Sequence, residues 1–346
     1  MSNENNFESL VAAAGAELSA PERNRLIRTV DGDQPRFELY HAGLSICSQK
    51  VCAILAEKGA AYLSHELVIL NSRGIYSEGL TPAENYRPGY VRLRLFGGEK
   101  LGLEFADKHT GRSSVETEGF DACVVPTLVD HEKEEVIVDS KRICQYLDDE
   151  LPEPISLVPD DKTIAEDVMK QVAIVDGTPH PAVLYGFHPD DDQRPDFIKH
   201  VMSDVYELKV EALESLIAQN SEDTQLVAAY RSKISKETAG KKLAHDANVQ
   251  NAVREEVQGI IDTLDKQLEA KADPWICGSE FTLADLVWAI SLYRLQWLGL
   301  AYQWENLPRV LEYADRVYHR PSIWEDVINF PSPMPESPHT ADIKNR

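Results

Sequence analysis

The residues best suited to chemistry form the run Ser45-Ile46-Cys47-Ser48, between a predicted strand and a predicted helix. A cysteine in the first turn of a helix meets unpaired backbone N–H groups and the positive end of the helix dipole, which favour a thiolate. We therefore interpret Cys47 as a nucleophile. The alternative is that Cys47 is a small buried hydrophobic residue, the usual fate of a single cysteine.

A second thiol is missing at the position where two-cysteine oxidoreductases have one, because residue 50 is lysine. Cys52 lies well round the helix from Cys47, since an α-helix turns by about 100° per residue. A disulfide formed on Cys47 must then be resolved by a thiol from another molecule. Lys50 either adds positive charge near the thiolate or is a solvated surface residue.

Two further motifs lie downstream. In Val124-Val125-Pro126-Thr127 a proline precedes a β-rich run, which on its own indicates no more than the start of an edge strand. In Asp139-Ser140 two capping residues precede a helix. The N–H donors of such a helix end suit a carboxylate, and the Asp139 carboxylate suits an ammonium group. Both residues also serve as ordinary caps.

The elements that position these motifs begin with a β-α-β unit. Alternation predicts a strand from Phe37 to His41, helical spacing predicts a helix from Ile46 to Lys58, and a second strand follows from Tyr62 to Leu70, parallel to the first. The runs 124–130 and 135–138 predict an antiparallel hairpin, followed by a helix after Asp139.

Other segments have a weaker pattern. We expect residues 1–35 to be a flexible extension, loosely ordered or draped on the surface. Residues 71–123 form a long insertion that is either a functional excursion or poorly ordered. Residues 331–346, which include four prolines, are expected to be a disordered tail.

Beyond the Pro-rich linker 151–154 the chain has helical stripes and no convincing strand, which predicts an all-α domain over 155–330. One stripe is Ile198, Val201, Met202 and Val205. Thr282 and Asp285 have the spacing of a capping box, to which we assign a folding role.

The element order and these motifs together resemble the glutathione transferase superfamily. The resemblance implies an α/β thioredoxin-like domain over 36–150, followed by the all-α domain. In that family the proline after Val125 is cis and the preceding backbone pairs with the cysteinyl unit of glutathione, while the acidic-Ser pair holds the γ-glutamyl group. The implied glutathione-binding residues are Ser45, Cys47, Ser48, Lys50, Val125, Pro126, Asp139 and Ser140.

Ser-Ile-Cys-Ser looks like the zeta-like branch, which includes isomerases and chlorohydroquinone reductive dehalogenases. The reductive dehalogenases of that branch are resembled more narrowly by Glu84 to Leu93, Ser113-Ser114-Val115 and Thr178-Pro179-His180. The resemblance implies reductive dehalogenation of a chlorinated hydroquinone with two glutathiones oxidised, through a Cys47–glutathione disulfide and with activation by Ser45. The alternatives are β-aryl ether cleavage, cis–trans isomerisation, a monothiol thioltransferase or a non-catalytic adaptor. The family also implies a homodimer.

An aromatic substrate pocket is expected between the two domains, with His180 and Tyr185 as candidates. His180 could orient or deprotonate a phenol, although a histidine between two prolines is more often a turn residue. Trp288 and Tyr293 are more often core residues. The cationic runs 92–94 and 141–142 either bind the glycyl carboxylate of glutathione or lie on solvated faces.

Composition excludes several classes of function. The 346 residues have a formal net charge of −23, which repels nucleic acids and anionic membranes. No apolar run is long enough for a membrane span, and the first residues lack the basic start of a signal peptide. Five cysteines without metal-like spacing predict no metal site and a reducing compartment, the cytoplasm.

Overall fold

The computed structural model describes residues 6–18, 23–28, 34–74, 78–112, 115–270, 273–330 and 336–344. An α/β part is followed by an all-helical part, as predicted. The elements of the first part are α1 Phe7–Ala16, β1 Asn24–Ile27, β2 Phe37–His41, α2 Ile46–Glu57, β3 Tyr62–Glu66, β4 Ser72–Arg73, β5 Leu80–Thr81, a 3₁₀ turn Glu84–Tyr86, α3 Pro88–Glu99, α4 Val115–Glu118, β6 Thr127–Asp130, β7 Glu135–Val138 and α5 Ser140–Glu150.

The main sheet has five strands in the order β1-β3-β2-β6-β7. Strands β2 and β3 are parallel, which confirms the β-α-β prediction, although β3 ends at Glu66 rather than at Leu70. Strands β6 and β7 form the predicted antiparallel hairpin, and β6 also pairs antiparallel with β2.

The two faces of the sheet belong to different cores, because successive strand residues point to opposite sides. Leu39 and Leu128 pack with α2, α5 and the helical part, whereas Tyr40 and Val129 pack with α1 and α3. The start of α2, where Cys47 lies, is therefore on the side of the sheet that meets the helical domain.

The prediction of a flexible extension is wrong for the described part of residues 1–35. Helix α1 buries Phe7, Leu10, Val11 and Ala14, the spacing of one helical face, and packs on α3. The contact requires Gly89 in α3, since a Cβ there would lie 2.8 Å from a backbone oxygen of α1. Strand β1 then extends the sheet by pairing antiparallel with β3. Burial of these apolar surfaces fixes the segment.

The segment 71–123 is largely ordered by its own apolar residues. Helix α3 buries Tyr90, Val91 and Leu93 in the core under the sheet, so this helix belongs to the α/β domain itself. The alternative that the segment is poorly ordered is therefore wrong for its described residues. Ser113 and Ser114, which contribute to the family resemblance, lie outside them.

The helical part contains α6 Lys162–Gly177, α7 His180–Tyr185, α8 Asp196–Ser203, α9 Val205–Gln219, α10 Thr224–Ala244, α11 Ala247–Ala270, α12 Leu283–Trp297, a 3₁₀ turn Ala301–Gln303, α13 Pro308–Tyr318, α14 Pro321–Ile323, a π-helical turn Trp324–Ile328, a 3₁₀ turn Pro338–Thr340 and α15 Ala341–Lys344. The stripe beginning at Ile198 is split between α8 and α9 at Asp204. The capping box of Thr282 and Asp285 is confirmed at the start of α12. No described helix is long and apolar enough to cross a membrane.

The predicted disordered tail is folded over residues 336–344. The Ser337 hydroxyl donates to the Trp297 carbonyl at 2.7 Å, and Thr340 and Ile343 are buried. These contacts dock the segment on α12, which explains why the tail is ordered. Residues 331–335 lie outside the described residues.

Candidate active site

The turn between β2 and α2 presents Ser45 and Cys47 to a cavity. Ser45 is the N-cap of α2 in an extended conformation, and the N–H of Ser48 donates to its Oγ at 3.2 Å. Cys47 follows in the first turn, is only half-buried and lines the cavity together with Ser45. Because Ser45 fixes the start of α2, the Cys47 thiol lies at the positive end of the helix dipole.

The second motif leaves backbone groups available for hydrogen bonding to a ligand. The Val125–Pro126 bond is cis, and both residues line the same cavity as Cys47. Among the described residues, no hydrogen bond is made to the N–H or C=O of Val125. Arg94 of α3 holds the loop by donating to the Pro126 carbonyl at 2.6 Å and to Thr127 Oγ1 at 2.8 Å. A peptide-like ligand would find one donor and one acceptor here.

The third motif lies at the start of α5. Asp139 adopts a positive φ of 76° and accepts a hydrogen bond from the Arg142 N–H at 3.3 Å. Burial raises the pKa of the Asp139 carboxyl, although that N–H and the charge of Lys50 favour the ionised form. A partly buried carboxylate in this position gains from a positively charged ligand group. Asp139 and Ser140 both line the cavity.

The cavity that these motifs share lies between the two domains and has a volume of about 200 Å³. Its wall brings together six of the eight residues that the resemblance implied for glutathione, along with both pocket candidates. These residues are Ser45, Cys47, Val125, Pro126, Asp139, Ser140, His180 and Tyr185. Residues of the segment 71–123, such as Tyr86 and Arg112, also line it, which supports the reading of that segment as a functional excursion.

The structure engages Ser48 and Lys50 elsewhere. The Ser48 hydroxyl is buried and accepts from the Ala42 N–H at 3.2 Å, so it stabilises the turn before α2. Lys50 is buried against Asp176 of α6, with Nζ 2.6 Å from the carboxylate. Burial works to lower the pKa of Lys50, but the charges of Asp176 and Cys47 outweigh it and raise the value. Neither Ser48 nor Lys50 lines the cavity, because both point away from it around α2.

His180 is a buried cavity residue rather than a surface turn. Its Nε2 lies 3.0 Å from Ser291 Oγ, and its Nδ1 has no hydrogen-bond partner among the described residues. Burial and the charges of Lys50 and Arg294 hold the pKa of His180 well below its usual range. The ring is therefore neutral at neutral pH, with one nitrogen available to a ligand.

Tyr185 lies against a buried ammonium group. Lys209 of α9 donates to the Tyr185 hydroxyl at 3.2 Å and sits 4.3 Å from the centre of its ring. Lys209 also pairs with Glu237 of α10 at 2.8 Å. In contrast, Trp288 is buried and donates to Gln171, which agrees with its expected place in the core. Tyr293 lies at a different cavity.

Sequence reasoning missed several charged residues in the wall, and Arg294 is the clearest of them. It comes from α12, whose other residues are nearly all apolar or small, and its side chain is buried. A single arginine in such a helix is a signal that the sequence offered, since an unpaired buried charge is costly. Lys209 is the one lysine of α9 and Lys233 is one of four in α10, and both gave a weaker signal because a lysine on an amphipathic helix is usually exposed.

Comparison with known proteins identifies the fold and the family. Residues 44–150 match the family described as "Glutathione S-transferase, N-terminal domain", and residues 227–325 match "Glutathione S-transferase, C-terminal domain". The chain is 40% identical over 333 residues to a 2,5-dichlorohydroquinone reductive dechlorinase of Sphingobium indicum, covering 95% of this chain and 93% of the relative. It is 23% identical over 291 residues to a tetrachloro-p-hydroquinone reductive dehalogenase of Sphingobium chlorophenolicum, covering 83% and 94%.

Among solved structures, a β-etherase from Sphingobium sp. strain SYK-6 superposes with a TM-score of 0.52 at 19% identity, covering 85% of this chain and all of that one. This likeness concerns the fold alone. The predicted order of an α/β thioredoxin-like domain and an all-α domain is confirmed. Matches over both domains, with a relative that is similar along nearly its whole length, establish that the chain belongs to the glutathione S-transferase family.

Proposed function

We propose that this chain is a glutathione-dependent reductive dehalogenase whose substrate is a chlorinated hydroquinone. The observation that carries the proposal is the meeting of three features in one cavity. They are the Cys47 thiol, the start of α5 and the Val125 backbone, to which no described residue forms a hydrogen bond. A relative that is 40% identical and bears the name of a chlorohydroquinone dechlorinase points to the same chemistry.

The wall offers groups for each part of glutathione. The N–H and C=O of Val125 would pair with the cysteinyl backbone, as in a short antiparallel ladder. The Asp139 carboxylate would hold the γ-glutamyl ammonium, and the N-terminus of α5 with Ser140 would hold the carboxylate beside it. Ser45 would direct its hydroxyl toward the glutathione sulfur, and Cys47 would lie beside the same sulfur.

Ser45 and Cys47 would then act in succession. With Ser45 stabilising its thiolate, glutathione displaces chloride from the quinoid tautomer of the ring, forming one C–S bond and breaking one C–Cl bond. The Cys47 thiolate attacks the sulfur of this thioether, so that the ring leaves with the electron pair, takes a proton and becomes the reduced hydroquinone. A second glutathione attacks the Cys47 disulfide and departs as glutathione disulfide.

The balance is one aryl chloride and two glutathiones converted to one dechlorinated ring, one glutathione disulfide, chloride and a proton. An external thiol must complete the cycle because Cys123, the other cysteine in the wall, is fully buried. Burial raises the pKa of Cys123 far above neutrality, so it has almost no thiolate with which to attack.

The decisive experiment incubates the protein with glutathione and a panel of chlorohydroquinones, and counts chloride and glutathione disulfide per ring. We expect one of each per substitution. An isomerase would consume no thiol, and a thioltransferase acting on a protein disulfide would release no halide. A protein that binds glutathione but forms neither product with any ring would overturn the proposal.

The expectation of a homodimer in a reducing compartment such as the cytoplasm stays a prediction. Light scattering coupled to size exclusion would measure the mass of the particle. A particle with the mass of one chain, 38.8 kDa, would contradict the dimer.

A further inference from the structure

Arg294 is a buried cation with spare hydrogen-bonding capacity. The side chain, from the centre of the helical domain, is 2% exposed and reaches the start of α2. Both of its hydrogen bonds come from Nη2, to the Leu44 carbonyl at 2.8 Å and to Gln49 Oε1 at 3.3 Å. Its Nε is buried without a partner, its Nη1 donates to none of the described residues, and no described carboxylate pairs with it.

Two other arginines of the same wall are better satisfied. Arg94 uses both terminal nitrogens, since Nη1 donates to Pro126 and Thr127 and Nη2 donates to the Asp121 carbonyl. Arg112 pairs with Glu256 at the rim. The Nε of Arg94 is also buried without a partner, but Arg294 has two nitrogens, Nε and Nη1, that donate to no described residue. Because a buried guanidinium is costly without acceptors, Arg294 is the one of these three with the most capacity left for a ligand.

The other charges of the wall largely cancel. Three lysines of α9 and α10 are buried against three carboxylates in a ladder of ion pairs, formed by Lys209, Lys233 and Lys236 with Glu118, Asp121 and Glu237. Arg94 and Asp139 add one charge of each sign to the wall, so Arg294 leaves a positive charge there in a protein whose net charge is −23. The cavity therefore attracts an anion locally although the whole surface repels one.

The charge of Arg294 persists at neutral pH. Burial lowers the pKa of the guanidinium to about 10, and Coulombic interactions with Tyr293 and Cys47 act in the opposite direction. The interaction with Cys47 places Arg294 within electrostatic reach of the nucleophile. His180, on the same wall, is neutral and brings no competing charge.

We propose that Arg294 binds the ionised oxygen of the aromatic substrate, so that the cavity takes the ring as a phenolate. The inference rests on the proposed function and adds the ionisation state and the residue that recognises it. Chlorine substituents lower the pKa of a phenol, so a chlorinated hydroquinone supplies such an oxygen at a pH closer to neutral than the unsubstituted ring does. A guanidinium bound to that oxygen makes charge-assisted hydrogen bonds, which are the stronger kind.

Binding measured without glutathione tests this apart from turnover. The probes are a trichlorophenol, ionised at pH 8, and its methyl ether, which has no charge; titration calorimetry gives the dissociation constant of each. In Arg294→Gln we expect about 10- to 100-fold weaker binding of the phenolate, the range for hydrogen bonds to charged groups, and unchanged binding of the ether. Arg294→Lys, which keeps the charge, should recover part of the loss. Arg309→Gln is a matched control, because Arg309 pairs with Asp265 away from the cavity.

Three outcomes would overturn the assignment. Equal weakening of both probes in Arg294→Gln, together with a lower melting temperature, would make Arg294 a positioning residue for Leu44 and α2. Unchanged binding of both would give it no part in recognition. Loss of glutathione affinity with phenolate binding retained would assign the residue to a carboxylate of the tripeptide. If the wild-type protein prefers the phenolate yet releases no chloride with glutathione, the proposed function fails while this inference stands.

Discussion

Replacing Cys47 with serine should separate the two halves of the proposed reaction. Serine keeps the size of the side chain and its place in the first turn of α2, but it cannot form a disulfide. Chloride displacement, which needs the glutathione thiol and Ser45, should continue. We expect Cys47→Ser to release one chloride per ring, to accumulate the glutathionyl hydroquinone and to form no glutathione disulfide.

The size of the residual reductive activity follows from Cys52, the other thiol of α2. Cys52 is buried on the far side of the helix, near His41, and burial raises its pKa to about 12. At pH 7.5 about 3 × 10⁻⁵ of this thiol is ionised, against about 10% of an ordinary thiol with a pKa of about 8.5. If Cys52 were the only substitute, formation of the reduced hydroquinone would fall by about 3,000-fold.

The assay combines a chloride electrode with mass-resolved chromatography of the ring products over one time course. Cys52→Ser is the matched control on the same helix and should turn over as the wild type does. Reduced hydroquinone formed by Cys47→Ser at the wild-type rate would refute the two-stage scheme. Equal losses in the two variants would show that the effect comes from damage to α2 rather than from chemistry.

Three predictions concern stability. Burial, with the charge of Arg25, holds the pKa of His41 at about 3. Below pH 6.5 the unfolded chain therefore binds a proton at this histidine, whereas the native state does not. Between pH 7.5 and 5 this group should therefore lower the free energy of unfolding by about 2 kcal/mol. His41→Gln should lack that decrease. Urea denaturation that gives the same pH dependence for both proteins would contradict the prediction. Lys50→Met leaves Asp176 without its buried partner and should lower the free energy of unfolding, measured in urea, by about 3 kcal/mol. A decrease below about 1 kcal/mol would show that water replaces the ion pair. Thr282→Ala removes the N-cap of α12 and should cost about 1 kcal/mol with glutathione affinity unchanged; weaker glutathione binding would give the capping box more than a folding role.

The sequence determined the parts of the site that depend on local chemistry. Ser45 caps α2 and Asp139 caps α5 because short-range hydrogen bonds to the following N–H groups fix both helix starts. Those two starts, with the loop at Val125, carry the family resemblance, and all of them meet at the cavity. The strands 37–41 and 135–138 were also readable, since alternation along a strand is a local signal.

Tertiary structure decided which segments are ordered. The apolar face of α1 has helical spacing in the sequence, but its order depends on the complementary surface of α3 and the close approach at Gly89. Residues 336–344 likewise fold because Ser337 and Ile343 find places on α12. Composition alone cannot reveal such partners, because the apolar area that a segment buries depends on residues far away in the chain.

The charges of the cavity show the same division. The sequence left Lys50 either as a cation near Cys47 or as a solvated surface residue, whereas packing buried it against Asp176 of the helical domain. It also placed Arg294 at the reacting end of the cavity, about 250 residues along the chain from the turn whose carbonyl it binds. Cys47 was recognisable from the sequence because its position depends on short-range hydrogen bonds at the start of α2. The partner of each buried charge, in contrast, depends on which distant acceptors the fold brings within reach.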